Sequence, residues 1–399
     1  MSPSLLVVVI ALLIGIQPIT TDLYLPALPG ITQGFGGTMG QAQLTLTALL
    51  LPFGLSQLVW GPLSDRYGRR PVLLVGLTAY TLAAVGSALA PTMEALIAWR
   101  AVQGVAMGAA VMTARALVRD AFEPQDGARM MSKAQTGLGV IACLSAPIGG
   151  LLTDLAHWRW ALSVLAVFGG LTLALVAWRF QETLPVERRA PLNLGAVLRN
   201  SGVIARHPTF LACSLLSTLT YAGLFTFLAS SSFIFIDVLG LSRTEYGLAM
   251  FSMSMAYIGG TFLCRRLLPR LGLRRAVAVA GALSLVGGTA MGVLAWAGVR
   301  SPWALLVPFW IYMLGHGIHQ PCGQTGAVAP FPRMAGAASA LNGFMMMATA
   351  FAVGAWIGTH LDGSIHTLTG GVWFWSACLA AVAWTLMQRH GEIREVRHA

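Results

Sequence analysis

The chain has 399 residues, of which 56% are hydrophobic and only 10% are charged, and its mean hydropathy is +0.72. These values exclude a soluble globular domain, in which about 45–50% of the residues are apolar and about 25% are charged. The formal net charge of +11 does not indicate nucleic-acid binding, because the basic residues stand in short clusters between apolar runs. The composition therefore predicts a protein that lies mostly within a lipid bilayer.

Twelve apolar stretches are long enough to cross a bilayer as helices, which takes about 20 residues each. A spanning segment must satisfy its own backbone hydrogen bonds, and stretches of this length favour helices over the shorter, alternating strands of a membrane barrel. The predicted spans are 4–27, 41–60, 71–91, 94–116, 130–152, 159–180, 209–236, 245–264, 276–298, 302–325, 336–358 and 370–388. The sequence thus predicts an all-α membrane protein with twelve transmembrane helices.

The basic residues orient these helices. With a cytoplasmic N-terminus, 20 of the 25 Lys and Arg residues fall in cytoplasmic connections, three fall on the opposite face, and two fall inside a span. Because membrane proteins concentrate Lys and Arg on the cytoplasmic side, both termini are predicted to be cytoplasmic.

The longest polar stretch follows the sixth span and divides the chain into two parts of similar size. We predict an N-terminal six-helix bundle over 1–181, a central cytoplasmic loop over 182–207, and a C-terminal six-helix bundle with a short cytoplasmic tail over 208–399. Two pseudo-symmetric halves of this kind are typical of parallel-repeat transporters.

A short internal similarity supports a duplication. SDRYGRR at 64–70 aligns with LPRLGLRR at 268–275 when Gly68 is placed on Gly272, and this alignment pairs two arginines as well. Self-similarity at corresponding positions is the sequence signal of a structural repeat.

The most specific local string is GPLSDRYGRRP at 61–71, between the second and third spans. It places an acid and three arginines in a short turn, and its glycines permit close helix approach or a positive φ. The plainer interpretation is a charged loop that only sets topology. The candidate residues here are Gly61, Asp65, Arg66, Gly68 and Arg69.

The fourth span carries Arg100, followed by Gln103 and Gly104, well inside the apolar stretch. A charged side chain within the membrane costs free energy unless it is paired or hydrated, which makes Arg100 a candidate functional residue. The alternative is an arginine whose side chain extends to the outer interface.

Asp22, in the string ITTDLYLPALP, is the one carboxylate of the first span. With about 1.5 Å of rise per residue, it lies roughly 10 Å outward of the midpoint of 4–27. Keeping a carboxylate charged there is costly, and proton uptake removes the charge, so Asp22 is a candidate proton carrier. The alternative is an interfacial acid that ends the helix before Pro26.

The tenth span contains LGHGIHQPCGQTG, in which His316 and His319 stand three residues apart with Cys322 nearby. A metal site is one interpretation of two histidines and a cysteine. Polar lining of an aqueous cavity is a better one, with His316 able to assist proton coupling. An equally good alternative is that each histidine only hydrogen-bonds to a neighbouring helix. We predict no metal, and the five cysteines stand singly, without the paired spacing of disulfide or zinc sites.

Several motifs together resemble a known family. The loop pattern G-x-L-x-D-R-x-G-R-R and the R-x-x-Q-G of the fourth span closely resemble motifs of the major facilitator superfamily. D-x-Y-L-P-x-L-P at the end of the first span, ARALVRD at 114–120 and ETLP at 182–185 resemble its Bcr/CflA-type drug:proton antiporters, which include bicyclomycin and phenicol exporters. The resemblance implies the major facilitator fold and is richest in the first half.

The resemblance also implies residue roles. The 61–71 turn would act as a conformational latch, with Asp120 as the partner of Arg69, and Arg100 would take part in proton transfer. Ile14 stands where some related exporters have a second acid, which leaves Asp22 as the principal proton carrier. CLSAPIGG at 143–150 partly resembles the antiporter motif of the fifth helix: Pro147 and Gly150 fit, whereas Ala142, Ala146 and Leu151 replace glycines.

The implied function is proton-coupled efflux of small lipophilic compounds, such as phenicol-type antibiotics, by alternating access across the bacterial cytoplasmic (inner) membrane. The proton-motive force would supply the energy without a cofactor, and we expect a monomer with its cargo site between the halves. Apolar, aromatic and small polar side chains suit lipophilic cargo. The candidate cargo contacts are Tyr24, Leu25, Tyr221, Phe225, Tyr257 and Met345 to Met347, among them Met346. The alternative for each of them is ordinary helix packing or contact with lipid.

Two other functions are alternatives to drug export. Export of a native metabolite or siderophore, or import of a small solute, would use the same fold, but the sparse charges inside the spans favour neutral or lipophilic cargo. A membrane-embedded enzyme needs a motif such as H-E-x-x-H or G-x-S-x-G, and neither occurs. A Walker A motif is also absent, so we predict a transporter that is not an enzyme and binds neither nucleotide nor nucleic acid.

Overall fold

The computed structural model describes residues 3–121, 124–189, 194–360 and 363–391, which form helices and turns and contain no strand. The helices are α1 (Pro3–Asp22), α2 (Leu28–Phe35), α3 (Met39–Tyr67), α4 (Arg69–Ala88), α5 (Met93–Ala121), α6 (Pro124–Leu155), α7 (Trp158–Arg179), α8 (Leu194–Ala205), α9 (Pro208–Ser232), α10 (Arg243–Trp296), α11 (Pro302–Val328), α12 (Ala335–His360), α13 (His366–Trp384) and α14 (Leu386–His390). A 3-10 turn, Leu25–Ala27, joins α1 to α2, and a π-helical segment, Phe233–Val238, extends α9.

Within these residues, ten segments are long and apolar enough to cross a membrane. One of them, α10, has 54 residues and is bent at Gly272 into two arms, each of which corresponds to a predicted span. The predicted tenth span forms α11, which has 27 residues but is not among the ten. Counting both arms of α10 and adding α11 gives the twelve predicted transmembrane helices.

The first span is longer than predicted. It runs from Ser4 to Phe35 instead of stopping just after Pro26. Neither Pro26 nor Pro29 ends it, because each lies in the first turn of a new helical segment, where the missing N–H costs no hydrogen bond. At about 1.5 Å per residue, Asp22 is therefore about 4 Å along the chain from the midpoint of this segment, closer to the midpoint than in the shorter predicted span.

Local signals explain where several helices begin and end. Thr38 caps α3: its hydroxyl accepts from the Gln41 N–H (3.2 Å), while Gln41 Oε1 accepts from the Thr38 N–H (2.9 Å). Gly68 separates α3 from α4 with φ 100° and ψ 163°, and Gly272 bends α10 with φ 73° and ψ 170°. The two glycines that the internal repeat aligns thus adopt the same kind of turn, a conformation that favours glycine.

The chain divides into two compact units, Met1–Leu194 with Ser242–Gly247, and Gly195–Leu241 with Leu248–Ala399. The first unit contains α1 to α7 and the first residues of α10, and the second contains α9, the rest of α10 and the helices that follow. The predicted central loop, 182–207, includes the helix α8, and its residues 190–193 lie outside the described residues.

Candidate functional site

Arg100 forms the centre of a buried polar network in the first unit. It lies on α5 and its side chain is 0% exposed. Its guanidinium donates hydrogen bonds to the carbonyl oxygens of Thr45 (3.2 Å) and Thr20 (3.0 Å) and to Gln103 Oε1 (2.8 Å). It also lies 4.3 Å from the centroid of the Tyr24 ring, over its face. Arg100 is therefore held inside the unit and does not extend to an interface.

The contacts of Arg100 lie on both sides of Asp22 in the chain. One is the carbonyl oxygen of Thr20, two residues before Asp22, and the other is the ring of Tyr24, two residues after it. Asp22 itself is the last residue of α1, is partly buried, and accepts a hydrogen bond from the Thr21 hydroxyl (2.8 Å). Within the described part of the chain, no carboxylate is within 4.0 Å of Arg100. Arg100 thus holds a backbone carbonyl on one side of Asp22 and a side-chain ring on the other without pairing with its carboxylate.

Further hydroxyl contacts tie the end of the first span to its neighbours. The Tyr24 hydroxyl contacts Thr45 Oγ1 on α3, and Thr20 Oγ1 is 2.6 Å from the Tyr80 hydroxyl on α4. Tyr24 and Leu25 are 0% and 1% exposed, so protein atoms already surround both predicted cargo contacts. The segment around Asp22 is consequently positioned by three different helices.

The fifth-span motif packs directly beside Asp22. A Cβ on Gly149 would overlap the carbonyl oxygen of Leu23, and a Cβ on Gly150 would overlap that of Arg243. Only glycine allows α6 to approach both backbones this closely. Pro147, three residues before Gly150, lies inside α6. The predicted antiporter residues therefore lie where α6 meets the first span and the start of α10.

We expect Gly149→Ala to weaken the protein and its transport activity. The added methyl has no space beside Leu23, and such overpacking costs about 1–3 kcal/mol and would displace the backbone next to Asp22. Thermal unfolding in detergent and transport into liposomes measure the two effects. Gly139→Ala on the same helix is the control, because a Cβ there has no heavy atom within 4 Å. Equal behaviour of the two variants would contradict the packing argument.

A second polar cluster lies at the turn between α3 and α4, and we call Ser64, Asp65, Arg69 and Asp120 the latch cluster. Arg69 Nη1 is 2.6 Å from Asp65 Oδ1 and 3.0 Å from Ser64 Oγ. Arg69 Nε is 2.6 Å from Asp120 Oδ2, and Nη2 is 3.3 Å from Oδ1, which makes this pair bidentate. The Arg69 side chain is only 5% exposed, so its charge is neutralised chiefly by these two acids.

The other predicted loop residues lie outside the latch cluster. Arg66 is exposed, and its guanidinium carbon is 5.5 Å from the centroid of the adjacent Tyr67 ring. Gly61 has ordinary space around it, since a Cβ there would be 3.7 Å from the Met112 Cε. Gly68 is required by its positive φ.

In the second unit, the two histidines of α11 point to different partners. His316 Nδ1 is 2.9 Å from Thr220 Oγ1, and the His316 ring is 5.5 Å from the Tyr257 ring. His319 is fully buried, and its Nε2 is 3.2 Å from the carbonyl oxygen of Val277. No group of three or more His, Cys, Asp or Glu residues in the described ranges could hold a metal ion.

The aromatic cargo candidates of the second unit differ in exposure. Phe225 and Met346 are 2% and 6% exposed, whereas Tyr221 and Tyr257 are partly exposed. The Tyr221 and Phe225 rings are stacked with their centroids 6.4 Å apart. Tyr221 and Tyr257 are therefore the two of these four that a compound could reach without displacing protein atoms.

Sequence reasoning missed the partners that hold Arg100 and Asp22 in place. The carbonyl oxygens of Thr20 and Thr45 have no sequence signal, because every residue carries a carbonyl. Gly149 did have a sequence signal, because it stands beside Gly150 in the small-residue string of α6.

Comparison with known proteins places the chain among transporters. The family model described as Major Facilitator Superfamily matches residues 10–355. Multidrug resistance protein D of Escherichia coli (strain K12) is 32% identical over 344 residues, 85% of this chain and 84% of that protein. The chloramphenicol resistance protein of Pseudomonas aeruginosa is 27% identical over 325 residues, 80% of this chain and 75% of that protein. The crystal structure of a D-xylose-proton symporter has a TM-score of 0.73 at 15% identity and covers 96% of each chain.

Proposed function

The chain belongs to the Major Facilitator Superfamily, and on this premise we propose that it exports small lipophilic compounds, including phenicol-type antibiotics, in exchange for protons. As a member it is a multi-pass membrane transporter of small molecules and not an enzyme. The resemblance seen in the loop and first-span motifs is thereby confirmed. The names of two relatives, a multidrug resistance protein and a chloramphenicol resistance protein, support the choice of cargo.

The observation that carries the proton-exchange part is the setting of Asp22. It is the only acidic residue before Asp65, and it lies near the middle of a 32-residue apolar segment. A carboxylate at that depth is costly when charged, so it either binds a proton or meets water or a cation during the cycle. Arg100 binds the Thr20 carbonyl oxygen before Asp22 and the Tyr24 ring after it, and these contacts restrict where the carboxylate can lie.

The cycle follows from these properties. In the outward-facing state Asp22 binds a proton, and in the inward-facing state proton release and drug binding favour each other. Proton and drug then compete through the conformations that they stabilise, and the membrane potential and the pH gradient supply the free energy. His316, hydrogen-bonded to Thr220, is a second group that could exchange a proton in this scheme.

The latch cluster would stabilise one conformation of the cytoplasmic side. Its arginine is buried between two acids, and breaking a buried charge pair is costly because it leaves a charge unpaired. The energy needed to separate Arg69 from Asp120 would set how readily that side opens. Tyr221 and Tyr257, the partly exposed aromatic residues of the second unit, are the proposed cargo contacts.

Membrane orientation is part of the proposal. We propose that the protein acts as a monomer in the bacterial inner membrane with both termini in the cytoplasm. The orientation is supported by the basic residues, because 20 of the 25 Lys and Arg residues would then lie in cytoplasmic connections. A protease that cleaves a C-terminal tag only after spheroplasts are permeabilised would support this orientation, and cleavage in intact spheroplasts would refute it.

Drug-induced proton movement in liposomes tests the proposal. The purified protein is reconstituted with a pH-sensitive dye inside the vesicles, and phenicols, cationic dyes and neutral sugars are added in turn. We expect proton movement with phenicols and not with sugars. If folded protein moves protons with none of these compounds, a dedicated metabolite transporter becomes the better interpretation.

A further inference from the structure

Glu182 makes an unusual set of contacts at the latch cluster. Its Oε1 accepts hydrogen bonds from the N–H groups of Arg69 (2.9 Å), Thr183 (3.1 Å) and Leu184 (3.0 Å). Its Oε2 accepts from the N–H of Arg70 (3.1 Å). One carboxylate thus binds four backbone donors, two at the start of α4 and two in the segment that follows α7.

These contacts stabilise a helix start that has no acceptor of its own. The first N–H groups of a helix lack partners within it, and Arg69 and Arg70 are the first two residues of α4. A carboxylate at this end also interacts favourably with the helix dipole. The start of α4 also binds α7 directly, because Arg70 Nη2 donates a hydrogen bond to the carbonyl oxygen of Ala177 in the last turns of α7 (2.9 Å).

Arg69, one of the residues whose backbone N–H binds Glu182, is also the centre of the latch cluster. Arg69 donates its N–H to Glu182 and its guanidinium to Asp65 and Asp120. The position of its Cα therefore determines whether the guanidinium reaches both acids. A displacement of the Cα by about 1 Å is enough to lengthen charge-assisted hydrogen bonds beyond the donor–acceptor distances at which they are strong.

The internal repeat indicates that the turn does not need this carboxylate in order to form. Gly68 and Gly272 adopt the same kind of turn. A Cβ on Gly68 would lie 2.5 Å from Glu182 Oε2, whereas a Cβ on Gly272 would have no heavy atom within 4 Å. In the second unit, Gln388 instead donates its side-chain N–H to the carbonyl oxygen of Arg274 (3.0 Å). The carboxylate is thus a feature of the first copy, the copy that carries the latch cluster.

We propose that Glu182 is a positioning residue of the latch: by binding the backbone of Arg69 and Arg70 it holds the Arg69 guanidinium between Asp65 and Asp120. This inference gives a role to the ETLP motif at 182–185. It rests on the proposed function for the claim that the latch cluster controls transport. The positional relation itself does not depend on which compound is carried.

A double-mutant cycle on thermal unfolding tests the positional relation without any cargo. If Glu182 acts through Arg69, Glu182→Gln already weakens the pairing with Asp120, and adding Asp120→Asn costs less than it does alone. The two shifts in Tm should therefore be non-additive. Glu187→Gln is the matched control, since Glu187 is an exposed acid of the same segment with no hydrogen bond or ion pair to another described residue. Its shift should add to that of Asp120→Asn, and additive shifts for Glu182 would overturn the inference.

Transport kinetics test the consequence for function. We expect Glu182→Gln to lower the maximal rate about tenfold with an unchanged KM for the drug, since the residue acts on a conformational step and not on cargo binding. Glu182→Asp, which keeps the charge on a shorter side chain, should recover part of the rate and also serves if the Gln variant does not fold. A maximal rate equal to that of Glu187→Gln would overturn the role in transport. A native chain that carries no compound would refute the proposed function and leave the Tm cycle to decide the inference alone.

Discussion

Asp22→Asn is expected to abolish proton-driven transport while the protein stays folded. The asparagine fills the same space and can still accept the Thr21 hydrogen bond (2.8 Å), but it cannot exchange a proton. A loss of at least about 100-fold is expected, the lower end of what a positioned proton-transfer group contributes. Drug-induced proton movement in liposomes measures this loss.

Drug binding by the same variant gives a second measurement. In the native chain, drug and proton compete, so drug binding should weaken as the pH is lowered through the range in which Asp22 binds its proton. In Asp22→Asn, whose side chain stays neutral, the dissociation constant should not change over this range. Glu94→Gln, an exposed acid-to-amide change in the first turn of α5, is the control and should behave like the native chain. Full proton-driven transport by Asp22→Asn would show that another group carries the proton.

Arg100→Lys is expected to lower both stability and transport even though it keeps the positive charge. The planar guanidinium reaches two carbonyl oxygens and one amide oxygen on different helices, at 3.2, 3.0 and 2.8 Å. A lysine ammonium ion is a point donor on a flexible chain and cannot reproduce this arrangement. We expect a loss of about 2–4 kcal/mol in the free energy of unfolding, since charge-assisted hydrogen bonds contribute about 1.5–3 kcal/mol each and less between membrane helices.

In the same variant, the Asp22 carboxylate should be held less firmly in its position. Without its contact to Thr20, the end of α1 is less constrained, so coupling between drug and proton should fall further than the amount of folded protein does. Thermal unfolding in detergent and the ratio of protons to drug moved in liposomes separate the two effects. Arg179→Lys, at an exposed site in the last turn of α7, should change neither quantity. Native stability and transport in Arg100→Lys would contradict the positioning role.

Features that depend on short spacing could be predicted from the sequence. Arg100 and Gln103 are three residues apart on α5, so helix geometry alone brings them together. Asp65 and Arg69 are close in the chain as well, but they meet across the Gly68 turn between α3 and α4. The family motif also led correctly to the pairing of Arg69 with Asp120. The length of the first span was underestimated for a local reason, because two prolines that look like a helix end lie in first turns, where proline is tolerated.

A helical membrane protein of twelve spans with a repeated glycine turn can be predicted from the amino-acid sequence, because hydropathy, segment length and backbone conformation are local properties. Which groups meet across helices depends on the packing of the whole fold. Glu182 reaches a backbone N–H that is 113 positions away, and Arg100 reaches carbonyl oxygens 55 and 80 positions away. Backbone groups are the same in every residue, so their pairing follows from helix packing and leaves no mark in the sequence.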